Sequence, residues 1–432
     1  MIKPKSRLFL DAVVGFSAVV ILILLKVYVV EGSFTGHWIN IKGYEVLHKL
    51  ISPFSRNSEP SVVVLDISEL KREPDGTTPA QSLREIVEAL IASKAKAIAI
   101  DLDFGSRSDL QGGVNGGPDV GPRAENDEEF FKFLRELKRS GKNVFVGIYN
   151  PAVDSDSWIT PKEYKDLAAY MTLFDEDTTL VPRWMKCGNE EPLKSISMAL
   201  AESSNLHPLP FFLPKAFLND REAPVNIEHF VQDDKMLRPV PCERAFTFVN
   251  YAKLEFLQGR ILQASDKKSV YEAKFTDGTS KFENKLVIIG NTQRGMSDCF
   301  VVPGQEKPIA GAYLHAAAVY SLVDEPVYEL RPIVIVVLDF ILGSIIVGGL
   351  FRVRWGHLKD NRSPYLGEGR FIFIAIVGAV GAGLLFAKLF NVLWLDFSLV
   401  ILALLLHSQV QKGLLWIPKS LWRSKAEQPQ KE

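Results

Sequence analysis

The chain has 432 residues, a formal net charge of −1 and 47% hydrophobic residues. That length exceeds a single ordinary domain of about 100–200 residues. The balanced charge argues against a nucleic-acid partner, which would need a clustered basic surface. The apolar residues gather at the two ends. Leu8–Val30, Pro332–Phe351, Phe371–Phe390 and Val392–Val410 are nearly uninterrupted runs, each close to the roughly 20 residues that span a bilayer core as a helix. The intervening stretch has the composition of a soluble domain.

Flanking cations orient the spans. Lys3, Lys5 and Arg7 precede the first; Arg352, Arg354, Lys359, Arg362 and Arg370 lie between the second and third; Lys412, Lys419, Arg423 and Lys425 follow the fourth. The three clusters share the cytoplasmic side if both termini are inside. The large domain between the first and second spans then faces outward. The first span reads as an uncleaved signal anchor, because its apolar run is long and lacks an Ala-x-Ala exit site. The expected division is an anchor at 1–31, an extracytoplasmic domain at 32–330, three spans at 331–411 with a basic loop at 352–370, and a tail at 412–432. Cys187, Cys242 and Cys299 all fall in the outer domain, where disulfides are permitted. An odd count allows at most one internal pair, and spacing does not choose it.

Gly32–Arg56 reads as an interfacial connector, with Trp38 and Tyr44 suited to the headgroup level. Ser61–Ile67 is a buried strand. Pro79, followed by Leu83, Ile86, Val87, Leu90 and Ile91, gives a helix with Pro near its start. Ala97–Leu102 is a second buried strand, completing a parallel crossover unit. The Gly- and Asp-rich stretch 105–126 lacks the alternating ligands and terminal Glu of a calcium loop and reads as plain loop. A helix at Glu129–Ser140 and a strand at Asn143–Tyr149 follow. Asp175–Asn205 carries an acidic turn, Arg183 and another helix, and Ala223–Phe282 is strand-like and irregular. Leu286–Ile289 closes the sheet, Gly290 ends the strand, and Gly311 opens a helix that contains His315 and stops before Pro326. The alternation predicts an α/β fold, a doubly wound and mainly parallel sheet, joined to four transmembrane helices.

Ligands of such sheets sit at the carboxyl ends of the strands. The candidate pocket residues are therefore Asp66, Asp101, Asp103, Arg183, Asn291, Asp298 and His315. The carboxylates have a plainer reading as helix caps or partners of Arg183 or Arg294, and His315 as a satisfied histidine on an inner helix face. Within the membrane, Lys26, Asp339, Lys388 and Asp396 fall at similar depth below the outer surface. Ionisable groups there are costly, so they suggest a polar layer holding the spans together. Small residues of the third span (Ala375, Gly378, Ala379, Ala382, Gly383) and Ser344 and Gly348 of the second would let helices approach. No phosphate loop, Gly-x-Ser-x-Gly elbow or His-Glu-x-x-His is present, and no metal or cofactor is called for.

The succession SVVVLDI, AIAIDLDF, DEDTTLVPRWM, PLKSISMALAE, FVNYA, KLVIIGNTQRGMSDCF and AYLHAAAVYSLV resembles a CHASE sensory domain of the second type. These are the extracellular sensory domains associated with cyclases and histidine kinases. The similarity covers Gly32–Glu329, and three following spans fit the family layout. It carries over Asp66, Asp101, Asp103, Arg183, Gly290, Asp298, Pro303 and His315 as positions, without a known ligand. Two departures stand out: Gly76-Thr-Thr-Pro79-Ala-Gln-Ser replaces a Trp-Pro-x-Arg-like entry to the first helix, and Ala317 replaces an Asn after the His-Ala pair.

In the family the input unit precedes a cytoplasmic effector. The cytoplasmic pieces of this sequence are too short to bury a core. The expectation is a bacterial inner-membrane sensor without catalytic activity. Its partners would be the bilayer, a separate effector protein and a small-molecule ligand, with a homo-oligomer left open. The rivals are a structural subunit docking an assembly and an exported hydrolase using the strand-end carboxylates. The topology is directly testable. A Gly116→Cys chain is expected to react with a membrane-impermeant thiol reagent in intact cells, and Ser424→Cys is not. The reverse pattern would invert the reading.

Overall fold

The computed structural model describes residues 59–71, 78–102, 124–148, 166–171, 180–187, 191–204, 225–233, 236–249, 262–292, 299–302, 307–325 and 328–359. It also describes positions 17, 20 and 257, most of 373–385, and 392–393. Two compact units emerge: one from His48–Leu213 with Asp220–Tyr328, the other from Met1–Leu47, Pro214–Asn219 and Glu329–Glu432.

In the first unit, apolar runs too short for helices form a parallel sheet. Its strands are β1 (Val62–Asp66), β2 (Ala97–Asp101), β3 (Asn143–Ile148), β4 (Ala168–Tyr170), β9 (Leu262–Gln263) and β10 (Leu286–Gly290), in the order β4-β3-β2-β10-β1-β9. Every pairing among them is parallel. β10 does not close the sheet at an edge. It lies between β1 and β2, which are therefore parallel but not neighbours. The reason is burial. All five residues of β10 are buried, and a strand apolar on both faces needs a central position covered by helices on both sides.

The strand alternation splits the core in two. Val62, Val64, Ala97, Ala99, Leu286 and Ile288 face α3 (Ile196–Ser203) and α5 (Gly311–Val323). Leu65, Ile98, Ile100, Val144, Val146, Val287 and Ile289 face α1 (Ala80–Ala92), α2 (Ala124–Arg139) and α4 (Lys267–Glu272). This is the two-sided, doubly wound arrangement.

Local chemistry sets the helix ends. Pro79 caps α1 in extended conformation. At the other end Lys94 takes φ 61°, with Lys94 N–H donating to the Ile91 carbonyl and Ala95 N–H to that of Leu90. This hydrogen-bond pattern closes a helix through a left-handed residue. α2 begins before the expected start at Glu129, because its first residues, Ala-Glu-Asn-Asp-Glu, carry no apolar periodicity. The Ser195 hydroxyl caps α3, accepting from Met198 N–H at 3.1 Å. Asp266 and Ser269 form a reciprocal capping box on α4.

Beside the parallel sheet lies an antiparallel one, in the order β6-β5-β8-β7. Its strands are β5 (Leu180–Cys187), β6 (Leu193–Lys194), β7 (Val225–Asp233) and β8 (Met236–Phe248). The segment holding Arg183 is thus a strand followed by the expected helix; the acidic turn at 175–179 lies outside the described residues. Its ladder with β8 shifts register between Pro182 and Trp184. A short pair, β11 (Cys299–Phe300) and β12 (Ile309–Ala310), leads into α5. The helix ends where the Asp324 carboxylate takes hydrogen bonds from Ser61 N–H at 2.9 Å and Ser61 Oγ at 2.6 Å, tying it to the entrance of β1.

In the second unit, β13 (Tyr328–Glu329) precedes α6 (Pro332–Lys359), which contains an apolar stretch, Ile333–Val353, long enough to cross a membrane. Among the described residues it is the one helix that meets that test. Of the third expected span, residues 373–375, 377–379 and 381–383 are helical; Val392 and Leu393, at the start of the fourth, are extended (β14). The first span lies outside the described residues apart from positions 17 and 20.

Gly290 makes the tightest demand on sequence. A Cβ built there would stand 2.8 Å from Ala312 Cβ, closer than two carbons pack, so the first turn of α5 can approach the sheet only over a glycine. Gly290→Val is expected to destabilise the full-length protein in detergent by about 1–3 kcal/mol, measured by urea unfolding. An unchanged midpoint would show that α5 does not press on the strand.

Candidate functional site

The site is built by register. Asp66, Gly290 and Asp101 are consecutive partners across β1, β10 and β2, so the two carboxylates flank a glycine at the carboxyl edge. Their Cα atoms are two strand spacings apart, roughly 9–10 Å. Both side chains are buried, and an ionised carboxylate in that setting must be paired or hydrogen-bonded.

Asp66 is satisfied within the fold. Its Oδ1 accepts from Ser68 N–H and Thr292 N–H, each at 3.0 Å, and its Oδ2 from Ser68 Oγ at 2.8 Å. The side chain turns the chain after β1 and pins the residue after Asn291 to it. Asp101 instead approaches α5, where its Oδ1 is 3.8 Å from His315 Nε2, with only 2% and 4% of the two side chains exposed. This is an ion pair only when the imidazole carries two protons.

His315 has partners on both ring nitrogens. Nε2 lies 2.9 Å from the Met171 carbonyl oxygen, which can only accept, so Nε2 holds a hydrogen and donates it. Nδ1 lies 3.3 Å from Ser197 Oγ, which is also 3.3 Å from the His315 carbonyl. With a neutral ring, the hydroxyl donates to Nδ1. With a protonated ring, it accepts from Nδ1 and donates to the carbonyl. The network therefore has a partner for the ring in either charge state without moving a side chain.

Tyr313 sits two residues earlier on α5 and is 4% exposed. Its hydroxyl has no hydrogen-bond partner. Burial, with a smaller contribution from the Asp66 carboxylate, pushes its pKa up to about 12; the nearby Thr292 side chain opposes the shift without making a hydrogen bond of ordinary geometry. Neither Tyr313 nor Ser197 was singled out by sequence. α5 is buried almost all round, so apolar periodicity gives no face on which to place Tyr313. Ser197 is embedded in PLKSISMALAE with no motif of its own.

Asn291 follows Gly290 and is buried. Arg183 lies on β5, half-buried; its carbonyl accepts from Ser195 N–H at 2.8 Å, and its Nε is buried without a partner. Among the described residues no ion pair joins it to Asp66 or Asp101. Asp103, Asp298 and Pro303 lie outside the described residues. No group of three or more potential metal ligands occurs among the described residues.

Of the intramembrane candidates, Asp339 is described, and Lys26, Lys388 and Asp396 are not. Asp339 is 1% exposed on a helix whose Ile333, Val337, Ile341 and Ile345 are exposed. It shares its buried face with Gly343, Ile346 and Val347, at the i, i+4, i+7 and i+8 spacing of one helical stripe. Among the described residues nothing lies within 4 Å of a Cβ built at Gly348 or Gly378. Ala379 and Gly383 are buried instead.

The domain is a parallel α/β sheet with buried polar groups, Asp66, Asp101 and His315, gathered at its carboxyl edge. The family model described as the CHASE2 domain matches residues 16–350. The chain belongs to that family, whose members are extracytoplasmic sensory domains. No curated protein and no solved structure matches it.

The Tyr313 hydroxyl predicts a pH signature. Its folded pKa of about 12 lies above the ordinary value of 10.0, so between those limits the unfolded chain has lost a proton that the folded chain keeps. Stability then falls as pH rises from about 10 to about 12, by on the order of 2 kcal/mol. Tyr313→Phe is expected to flatten that part of the difference in urea-unfolding profiles. At neutral pH it should cost little, because the hydroxyl it removes has no partner. Parallel alkaline profiles for the two proteins would place Tyr313 in contact with water.

Proposed function

We propose that the chain is a membrane-anchored sensory input module, without catalytic activity of its own, that acts through a separate effector chain. The observation that carries this reading is the buried Asp101–His315 pair at the carboxyl edge of the sheet, with both ring nitrogens partnered. A ligand or proton that changes the charge of this pair acts on α5 directly. α5 in turn is fastened to β1 through Asp324 and Ser61, and the chain continues from it to α6. Within the membrane we place Asp339 in a polar layer with Lys26, Lys388 and Asp396, with four spans and both termini cytoplasmic.

The serine, histidine and aspartate invite a hydrolase reading, which the geometry disfavours. Ser197 is fully buried within a helix. The ring hydrogen on Nε2 is directed to the Met171 carbonyl, and Asp101 stands beyond hydrogen-bond distance. A catalytic triad needs an accessible hydroxyl and a carboxylate that orients the ring.

A second reading, a structural subunit with no ligand, draws on Asp66, whose carboxylate is occupied entirely within the fold. Affinity purification of the full-length chain from its native membrane separates the two. The sensor reading expects one effector to co-purify, and Asp101→Asn to leave capture intact while changing that effector's output. Capture of an assembly whose activity is indifferent to Asp101→Asn would favour the structural subunit.

A further inference from the structure

The antiparallel sheet places two of the three cysteines opposite one another. Cys299, in β11, is a free and half-buried thiol, and its ladder partner is Ala310. Cys187 ends β5, and the β5–β8 ladder sets it directly opposite Cys242. Directly opposed residues of an antiparallel pair share a face and have Cα atoms about 4.5–5.5 Å apart. That lies inside the roughly 4.4–6.8 Å span of disulfide geometry. Within the same ladder Pro182, opposite Phe246, has no N–H to give, and the register shifts just beyond it. Cys187 and Cys242 are the last pair of this ladder, so a covalent tie there would hold its end.

We propose that Cys187 and Cys242 form a cross-strand disulfide in the exported protein, leaving Cys299 as the remaining thiol. The inference rests on the domain's extracytoplasmic location, where such bonds persist. Formation removes two protons and two electrons from the two thiols as the sulfur–sulfur bond closes. The acceptor is a disulfide of the compartment's thiol–disulfide exchange system, which is reduced to a dithiol. The link closes the segment 188–241, which contains α3 and hence Ser197, the hydroxyl on the His315 ring. Closing that loop restricts the unfolded chain and keeps α3 tethered at both flanks to one sheet.

The test is disulfide mapping of the full-length protein, alkylated as its membrane is opened and digested without reduction. One linked peptide pair holding Cys187 and Cys242 is expected, with Cys299 alkylated. Denatured protein should take up one thiol label before reduction and three after. Three labels before reduction, or any link that includes Cys299, overturns the proposal. If the link is missing, exposure of the reduced protein to oxidised glutathione locates the fault: bond formation then indicts the compartment, and continued absence indicts the register. Cys187→Ser should raise the count before reduction to two. The mapping of the unaltered chain decides the question even if that variant fails to accumulate.

Discussion

A strand with neighbours on both sides and helices on both faces has no freedom left, and Leu286–Gly290 is such a strand. Its backbone is paired with β1 and β2, and all its residues are buried. The rest of the domain follows from seating it. Asp66 and Asp101 flank one glycine because β10 separates their strands. That residue is glycine because α5 crosses above it. α5 is apolar nearly all round because the sheet, the neighbouring helix α3 and strands β5 and β8 all pack against it. Each fully buried Leu, Val or Ile contributes about 1.5–3 kcal/mol relative to exposure, so this layer outweighs any surface ion pair in the domain.

Within the apolar setting the polar groups are treated unequally. Asp66 is saturated by three donors and works as a splice between the ends of β1 and β10. His315 is satisfied in two ways, depending on its protons. Tyr313 is left with an orphan hydroxyl. Saturated groups resist change because disturbing them exposes buried donors, at about 1–3 kcal/mol each. A group with two equivalent arrangements does not resist. The carboxyl edge thus combines a fixed half around Asp66 with a permissive half around His315, and the permissive half touches Asp101, α3 and the loop after β4.

The parts of the fold written in local pattern could be read without a structure. SVVVLDI, AIAID and LVIIG are uninterrupted apolar runs of strand length, and Pro79 with its following apolar spacing marks α1. β5 was hidden because Pro182, Arg183 and Lys186 interrupt any alternation, and its partner β8 is interrupted by Arg238, Pro239, Pro241, Glu243 and Arg244. The place of β10 between β1 and β2 is a long-range fact that no window of sequence contains. The site divides in the same way. Strand-end carboxylates were found because chain geometry puts them at the edge. The groups around them came from elements far away in sequence: His315 on α5, with its own partners Ser197 on α3 and Met171 after β4. The histidine was visible, but which of its two readings applied depended on a carbonyl, and a carbonyl leaves no trace in residue identity.

The central position of β10 also sets an order of events. Val62 pairs with Leu286, and Ala97 pairs with the same residue from the other side, so the middle of the sheet waits for a strand that leaves the ribosome long after its neighbours. Contacts so distant along the chain are slow to form, because the intervening loop must close before they contribute. β1 and β2, emerging first, have no direct pairing with each other. For a domain that works outside the cytoplasm this is an advantage, since an export channel accepts extended chain and stalls on folded chain. The topology itself leaves β1 without either of its neighbours, β9 and β10, until nearly the whole domain has been delivered.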